Sequence, residues 1–117
     1  MNTRKTGEHY EQVAGAFLER HGYQILEYNF RCRYAEIDIV ARDGEYLVFC
    51  EIKYRSNANM CTAMEAVNSR KQHRISLAAL FYLHAHHYTN FSCRFDVIGI
   101  SGNHIRLIKN AFQFTGV

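Results

Sequence analysis

The sequence predicts an α+β (or mixed α/β) fold in which helices flank a central mixed sheet, in the order α-β-β-β-α-β-β. Two stretches carry apolar residues at helical spacing, and the runs between and after them are rich in β-branched and aromatic residues. Glycine-containing turns, Asp43-Gly44 and Gly102-Asn103, separate two pairs of these runs. With 117 residues, 48% of them apolar, the chain is expected to form a single domain, residues 1–117.

The first predicted helix covers residues 6–22. Its apolar side chains recur every three or four residues and so share one face: Tyr10, Val13, Ala14, Phe17 and Leu18. Gly22 is the expected C-terminal cap, because glycine adopts the left-handed conformation without strain. Glu11 lies at the edge of the apolar stripe, so its carboxylate can lean over the sheet or stay in water, and helix geometry alone favours water.

A first strand and a long hairpin follow this helix. Residues 25–33 alternate between apolar and polar side chains, which is typical of a half-exposed strand. Residues 36–53 form two apolar runs around Asp43-Gly44, a dipeptide that tolerates the positive φ of a tight turn. This stretch predicts two antiparallel strands joined by a two-residue loop.

The register of this hairpin decides which side chains meet. A loop at Asp43-Gly44 places Asp38 opposite Phe49. It also places Glu36 opposite Glu51. Side chains alternate between the two faces, so these carboxylates and the lysine at position 53 share one side of the sheet. Asp38 and Glu51 are then diagonal neighbours, roughly 7–8 Å apart between Cα atoms, and two carboxylates can span that separation by sharing a cation.

Charged side chains gather at the end of the hairpin away from its turn, although both faces are otherwise largely apolar. Clustered carboxylates in a partly buried place repel one another and lose hydration, so they persist with a cation or with raised pKa values. Lys53 supplies one positive charge, and a divalent metal ion would supply the rest. The residues alone leave a metal site and a structural ion-pair cluster equally open.

A second helix is predicted to continue to about His86. Thr62-x-x-Glu65 resembles a capping box, Asn68-Ser69 suggests a break, and Ser69-x-x-Gln72 suggests a second cap. Between positions 53 and 74 the chain carries five basic residues against one acidic residue: Lys53, Arg55, Arg70, Lys71 and Arg74. Such a run beside carboxylates suits a polyanion that brings a phosphate to a metal, or else it is a solvated helix face.

The last part of the chain predicts two strands, residues 94–100 and 104–108, about the turn Gly102-Asn103. Residues 111–117 give no firm assignment. Asp96 is expected to pair with Arg94 rather than with a metal ion. The histidines at 84, 86 and 87 do not all share a helix face, which favours a structural role. The cysteines lie far apart without a C-x-x-C pair, so disulfides and zinc sites are disfavoured.

Apolar runs in the sequence are too short to cross a membrane. The longest, residues 78–83, is far below the roughly 18 residues that a span needs, and the polar amino terminus lacks a signal-peptide core. These features predict a cytoplasmic protein with no membrane partner. The net charge of +3 is too small to identify a partner by itself.

Several motifs resemble a known nuclease superfamily. Glu36-Ile-Asp38 followed by Val48-Phe-Cys-Glu-Ile-Lys53-Tyr-Arg55 resembles the core of the PD-(D/E)XK nucleases and, within them, the small bacterial YraN-like proteins. Further matches follow that pattern in order and spacing along nearly the whole chain: Tyr10-Glu11, Phe17-Leu18, Gly22-Tyr23, Asn29-Phe30-Arg31, Glu65-Ala-Val67, Lys71, Arg74-Ile75 and Arg94-Phe-Asp-Val-Ile98. The resemblance implies a restriction-endonuclease-like fold related to that of Holliday junction resolvases.

The same resemblance implies a metal site. Asp38 and Glu51 would hold Mg²⁺ or Mn²⁺, helped by the carbonyl of Ile52. Glu11 would reach in from the first helix as a supporting ligand, and Glu36 would support the ligands from behind. Mg²⁺ prefers hard oxygen ligands and keeps several waters, one of which can be the nucleophile.

The implied function is a divalent-metal-dependent endonuclease that hydrolyses DNA phosphodiester bonds, with branched or damaged DNA as candidate substrates. Lys53 would orient or deprotonate the attacking water, or neutralise charge on the phosphate, beside the catalytic carboxylates of Glu11, Asp38 and Glu51. The expected nucleic-acid contacts are Arg55, Arg70, Lys71 and Arg74. The resolvase relatives act as dimers, which leaves a homodimer open. The alternative is a non-catalytic nucleic-acid-binding or adaptor domain on the same scaffold.

Overall fold

The structure, a computed structural model, describes residues 3–54, 67–88 and 92–115. Within these ranges the elements follow the predicted order α-β-β-β-α-β-β. They are α1 (Thr3–Arg20), β1 (Gln24–Arg31), β2 (Glu36–Asp43), β3 (Tyr46–Tyr54), α2 (Ser69–Ala85), β4 (Ser92–Ser101) and β5 (His104–Phe112). The predicted capping box at Thr62 and Glu65 and the predicted nucleic-acid contact Arg55 lie outside the described residues.

The strands form one five-stranded sheet in the order β1-β2-β3-β4-β5. Neighbouring strands are antiparallel, except that β3 and β4 run parallel. A parallel pair needs a crossover connection, and α2 lies within the segment that joins β3 to β4. The predicted fold class, α+β with a mixed sheet, is therefore confirmed. Neither helix in the described ranges has the length and apolar character that a bilayer crossing requires.

The two helices of the described ranges cover opposite faces of the sheet. Ala14 and Leu18 of α1 pack on one face of β2, β3 and β4. Ile75 and Tyr82 of α2 pack on the other face, where Phe49 of β3 is buried among them. Burial on both faces explains the continuous apolar runs inside these strands, residues 39–41 of β2 and 47–50 of β3. A charged side chain at a buried position of either strand, such as Glu51, is thus exceptional.

Helix α1 begins at Thr3, earlier than predicted, and ends at Arg20. Gly22 has φ +88°, which confirms its predicted role at the helix C-terminus. The following amide, from Tyr23, donates to the carbonyl of Leu18 over 3.0 Å. This cap turns the chain directly into β1.

The alternation predicted for β1 is broken within the strand. Leu26 and Phe30 pack in the core beneath α2, but Tyr28 lies against Gly15 of α1. Asn29 has φ +55°, a left-handed conformation that asparagine tolerates better than most residues, and the register with β2 also shifts near the start of the strand. These irregularities turn Tyr28 and the side chain of Asn29 toward α1.

The hairpin turn is displaced from its predicted position. Asp43 pairs with Tyr46, so the two-residue loop is Gly44-Glu45 and not Asp43-Gly44. Gly44 has φ +60° at the first loop position, the place where a tight hairpin turn favours glycine. Gly44 was correctly predicted as a loop residue, but it is the first residue of the loop and not the second.

This displacement corrects the predicted register. Val40, and not Asp38, lies opposite Phe49. The predicted pairing of Glu36 with Glu51 is wrong for the same reason. The register moves by two residues, and side chains repeat every two residues along a strand, so each one keeps its predicted face. The predicted grouping of charges on one face therefore survives the error.

Helix α2 begins one residue after its N-cap, Asn68, whose Oδ1 accepts a hydrogen bond from the Lys71 amide over 2.9 Å. The chain is not helical at Val67 and Asn68, and the segment before the predicted break lies outside the described residues. The predicted cap at Ser69 is off by one residue. Asn68 has the extended backbone of an N-cap, with φ −74° and ψ 173°. The side-chain amide of Gln72 donates to the carbonyl of Val67 over 2.9 Å.

The turn of the final hairpin lies where it was predicted, but the second strand of the hairpin is longer than predicted. Ser101 pairs with His104 across Gly102-Asn103, and Gly102 has φ +58°. Strand β5 then continues past the predicted end at residue 108 to Phe112, into a segment without a firm prediction. A left-handed residue, Asn110 with φ +54°, accompanies a register shift in this part of the β4–β5 pair.

The predicted pairing of Asp96 with Arg94 on β4 is confirmed. Arg94 forms an ion pair with fully buried Asp96, with 2.9 Å between Nε and Oδ1. Arg94 also donates to Asp43 over 2.8 Å and to the hydroxyl of Tyr23 over 2.7 Å.

Among the described residues the cysteines are free: Cys32, Cys50 and Cys93. His86 stacks on Tyr82 with 4.0 Å between ring centroids, in line with a structural role.

Candidate functional site

The candidate site lies where the backbone pairing between β2 and β3 ends. Their ladder is paired from the turn to Ile39 and Cys50. Beyond that pair, Oδ2 of Asp38 accepts a hydrogen bond from the backbone N–H of Ile52 over 2.8 Å. A side chain has thus taken the place of a ladder partner. The carbonyl of a strand residue points to the same side as its N–H, so the Ile52 carbonyl is directed into the same gap. Counting on from the last pair brings Asp38 level with Glu51.

Asp38 is held in an environment that disfavours its charge. Burial raises the pKa of Asp38 to about 7, and the nearby charge of Glu51 acts in the same direction. The hydrogen bond from Ile52 opposes this rise without cancelling it, and Glu36 adds to the repulsion. A buried carboxylate under repulsion from its neighbours gains from any additional positive charge. This is the electrostatic condition that a cation site needs.

Glu51 is also buried, with 6% of its surface exposed, and it faces two ammonium groups. Its Oε1 lies 3.1 Å from Nζ of Lys71 and 3.5 Å from Nζ of Lys53. Burial lowers the pKa of Lys53, because the attraction of Glu51 does not fully offset it and Lys71 adds repulsion. Burial acts on Lys71 in the same sense, but its ion pair and hydrogen bond with Glu51 outweigh this, so the pKa of Lys71 is raised.

Glu11 leans onto the sheet from α1 rather than into solvent. Its carboxylate accepts a hydrogen bond from the side-chain amide of Asn29 on β1. It lines a cleft that Asp38 and Ile52 also line. In the described part of the chain, however, no three acidic, histidine or cysteine side chains converge closely enough to hold a metal ion together. The supporting-ligand role of Glu11 therefore stays a prediction.

A cleft of about 520 Å³ opens beside the two buried carboxylates, and we call it the basic cleft. Its basic wall comes from the first turns of α2: Arg70, Lys71 and Arg74. Asn68 lines it as well, and the N-terminus of α2 adds a partial positive charge. Of the basic residues that the sequence singled out, Arg70, Lys71 and Arg74 therefore line the same cleft as Asp38 and Glu51. Glu36 lies at the rim, 3.4 Å from Nε of Arg31.

Comparison with known proteins assigns the chain to a family. Residues 10–100 match the profile described as "Uncharacterised protein family UPF0102". The chain belongs to the UPF0102 family. A UPF0102 protein from Syntrophus aciditrophicus is 47% identical in an alignment of length 113 that covers 93% of this chain and 89% of that protein. UPF0102 proteins from Lachnoclostridium phytofermentans and Geobacter metallireducens are each 46% identical in alignments of length 117. These alignments cover 99% and 97% of this chain and 99% and 96% of theirs.

Sequence reasoning missed several residues of the site in this UPF0102 chain. Asn29 holds Glu11, and Asn68 both caps α2 and lines the basic cleft. Tyr10 and Tyr54 stack on each other beside Glu11 and Asp38, with 4.2 Å between ring centroids. The first two could have been suspected, since asparagine favours both left-handed strand positions and helix caps. Nothing in the sequence links Tyr10 to Tyr54, because their proximity arises only from the packing of α1 on β3.

Proposed function

We propose that this UPF0102 protein is a divalent-metal-dependent endonuclease that acts on DNA. The observation that carries the proposal is the pair of buried carboxylates, Asp38 and Glu51, where β2 and β3 part beside a cleft with a basic wall. The resemblance of these residues and Lys53 to the PD-(D/E)XK core supports the same reading. Carboxylates that would bind a metal and cations that would bind phosphate are thus close together, as phosphodiester hydrolysis requires.

The residues present fit Mg²⁺ or Mn²⁺ chemically. Asp38 and Glu51 offer hard carboxylate oxygens, and the carbonyl of Ile52 is directed into the same gap. The pKa of Asp38, raised by burial to about 7, indicates a deficit of positive charge that a divalent ion would remove. Asp38, Glu51 and the Ile52 carbonyl would hold the ion, with Glu11 in support. When bound, the ion would polarise the phosphate and lower the pKa of a coordinated water.

The protein's own groups account for binding and proton transfer. Lys53, whose pKa is lowered by burial, would orient the attacking water or accept its proton. In the charged form the same ammonium would stabilise negative charge on the phosphate. The water oxygen would bond to phosphorus as the bond to the leaving oxygen breaks, with the water's proton passing to Lys53 or to solvent and the leaving oxygen taking up a proton from solvent. Arg70 and Arg74 would hold flanking phosphates and keep the strand in line.

The direct test is cleavage of linear, flapped and four-way DNA by purified protein with Mg²⁺ or Mn²⁺. We expect cleavage that EDTA abolishes and that Asp38→Asn or Lys53→Met slows by at least about 100-fold. Lys109→Met is the matched control, since Lys109 is a half-exposed lysine on β5 that pairs with Asp43 at the far end of β2. Cleavage that persists in both site variants would show that a contaminant or another site is responsible.

One observation favours a second candidate, a nucleic-acid-binding module without catalysis. Lys53 and Lys71 already neutralise Glu51, and no third ligand converges on Asp38 among the residues described. Calorimetry separates the two functions. Binding of Mg²⁺ or Mn²⁺ in the presence of DNA, lost in Asp38→Asn, supports the nuclease. DNA binding with no detectable metal binding supports the non-catalytic module.

A further inference from the structure

A second cleft, of about 300 Å³, lies beside the basic cleft and shares Glu36 and Asp38 with it. We call it the aromatic cleft. Its other walls come from α1, β1 and β3: Gly7, Tyr10, Glu11, Asn29, Ile52 and Tyr54. The start of β2 therefore stands between two clefts. A nucleic-acid strand that places a phosphate at Asp38 meets both of them.

The aromatic cleft contains an ordered pair of rings. Tyr10 and Tyr54 are stacked, with 4.2 Å between centroids and 22° between planes. Tyr54 keeps 38% of its surface exposed and lines the cleft, so part of the pair is open to solvent. A stack that is already fixed loses little conformational freedom when one more flat group is added to it. Nucleobases are such groups, since each has a π-face that stacks on aromatic side chains.

The charges of the two clefts select different parts of a nucleotide. The basic cleft is lined by three cations, Arg70, Lys71 and Arg74, which offset its three carboxylates and can bind phosphate. The aromatic cleft is lined by the carboxylates of Glu11, Glu36 and Asp38, and no arginine or lysine of the described residues lines it, so it repels phosphate. Asn29 and Glu11 also place an amide and a carboxylate together at its wall, a donor and acceptor set that suits the edge of a base. An uncharged base is therefore the nucleotide part that the aromatic cleft accommodates best.

We infer that the aromatic cleft binds the base of an unpaired nucleotide, stacked on Tyr54, while the basic cleft holds the adjoining phosphates. A base inside a duplex is stacked between its neighbours and does not reach such a pocket without being extruded. The volume of about 300 Å³ is at the lower end of small-ligand pockets, which suits one base and not a duplex. The inference refines the proposed nuclease function by naming its substrate class: DNA with a single-stranded arm or flap.

Fluorescence anisotropy in EDTA, where no metal-dependent cleavage occurs, measures the binding alone. The probes are a blunt duplex and the same duplex ending in a splayed single-stranded arm. We expect Tyr54→Ala to weaken binding of the splayed DNA by roughly 5- to 150-fold, the effect of losing one stacked base, and to leave duplex binding nearly unchanged. Tyr54→Phe should retain most of the affinity. Tyr46→Ala is the control, since Tyr46 lies at the other end of β3 with 43% of its surface exposed.

A second variant adds a side chain to the wall of the cleft without removing one. A Cβ added at Gly7 meets no atom within 4 Å, so Gly7→Leu begins in open space at this wall. Gly7 is within α1, where a residue other than glycine favours the helix. We expect Gly7→Leu to weaken arm binding while thermal unfolding shows no loss of stability. Gly7→Ala, which adds only a methyl group, is its control.

The outcomes are decisive in either direction. Replacing the arm nucleotide nearest the branch by an abasic one should weaken binding to the native protein and make Tyr54→Ala cause no further loss. If Tyr54→Ala weakens both DNAs equally, or neither, the aromatic cleft does not bind a base. Failure of the nuclease proposal is distinguishable, because DNA that is never cleaved with Mg²⁺ or Mn²⁺ can still show this arm-dependent binding.

Discussion

Asp38 and Asp43 lie near opposite ends of β2, and their surroundings shift their pKa values in opposite directions. Burial and the charge of Glu51 raise the pKa of Asp38 to about 7. The hydrogen bond from Arg94 lowers the pKa of Asp43, with Lys109 adding to the effect and burial opposing it. A carboxylate with a raised pKa destabilises the fold when it ionises, whereas one with a lowered pKa stabilises it. Strand β2 therefore carries one carboxylate, Asp38, whose ionisation destabilises the metal-free fold, and one, Asp43, whose ionisation stabilises it.

Asp38→Asn is expected to stabilise the metal-free protein at high pH. The ordinary pKa of the group, 3.8, is below its pKa of about 7 in the fold. The stability due to protonated Asp38 is therefore complete below about pH 4 and is lost as the pH rises through 7. Asparagine does not ionise and avoids this loss. We expect Tm in EDTA to rise by about 5 °C or more at pH 8, with little change at pH 4.

Asp43→Asn provides the control of opposite sign on the same strand. Its lowered pKa contributes stability that is present above the ordinary pKa and is lost as the pH falls. This variant should therefore be less stable than the native protein at pH 7 and should approach it under acid conditions. A fall in Tm for Asp38→Asn at pH 8 would contradict the expectation that ionised Asp38 destabilises the metal-free fold.

The grouping of residues at the proposed metal site was predictable from the sequence because strand alternation is robust. Asp38, Glu51 and Lys53 share a face at any even displacement of the register, so an error of two residues left them together. Tyr54 was not predictable as a site residue, and only the tolerance of asparagine for a left-handed conformation pointed to Asn29. Their roles depend on partners in α1, far away along the chain, and single-sequence patterns do not record such contacts.

At the scale of elements, the type and order of each helix and strand followed from periodicity, while boundaries and irregularities did not. The turn illustrates why. Gly44 marks a position of positive φ, but Asp43-Gly44 and Gly44-Glu45 both offer a two-residue loop that contains it. The irregularity at Asn29 was equally hidden, since the surrounding residues still alternate in the sequence. Local chemistry identifies a turn residue more reliably than its place within the turn.

The N-cap of α2 connects this helix to the basic cleft. Asn68 Oδ1 accepts from the Lys71 amide, and Asn68 also lines the cleft. Asn68→Ala should lower the free energy of unfolding by about 1 kcal/mol, because the cap is lost. Asn68→Asp should keep the stability, since a carboxylate also caps a helix N-terminus, but should weaken DNA binding by placing negative charge in the cleft. Urea unfolding and fluorescence anisotropy measure the two effects separately.

Asn68→Ser serves as the neutral control, because serine caps the helix without adding charge. It should match the native protein in both measurements to within a small margin. If Asn68→Asp binds DNA as tightly as Asn68→Ser, the cleft at the start of α2 does not carry phosphate.

At the scale of the molecule, the two ends of β2 have different tasks. Near the hairpin turn, Arg94 joins Asp43, Asp96 and Tyr23 in a buried network. In the described residues no buried side-chain polar atom is left without a hydrogen-bond partner, so this network is suited to holding the sheet together. At the other end, buried Asp38, whose pKa is raised by burial and by the charge of Glu51, lies beside the basic cleft. The charged network at the turn end suits stability, and the proposed cation and phosphate binding belongs to the other end.

This division predicts that the position of a charge matters more for DNA binding than the net charge of +3. Arg70→Gln removes a cation that lines the basic cleft, and Arg20→Gln removes one from the exposed last turn of α1. Both leave the same net charge. Each phosphate contact contributes about 0.9 to the slope of log K against log salt concentration. We expect Arg70→Gln to reduce that slope by about this amount in anisotropy titrations, and Arg20→Gln to leave it unchanged. Equal slopes for the two variants would mean that DNA responds to overall charge, and the basic cleft would lose its assigned role.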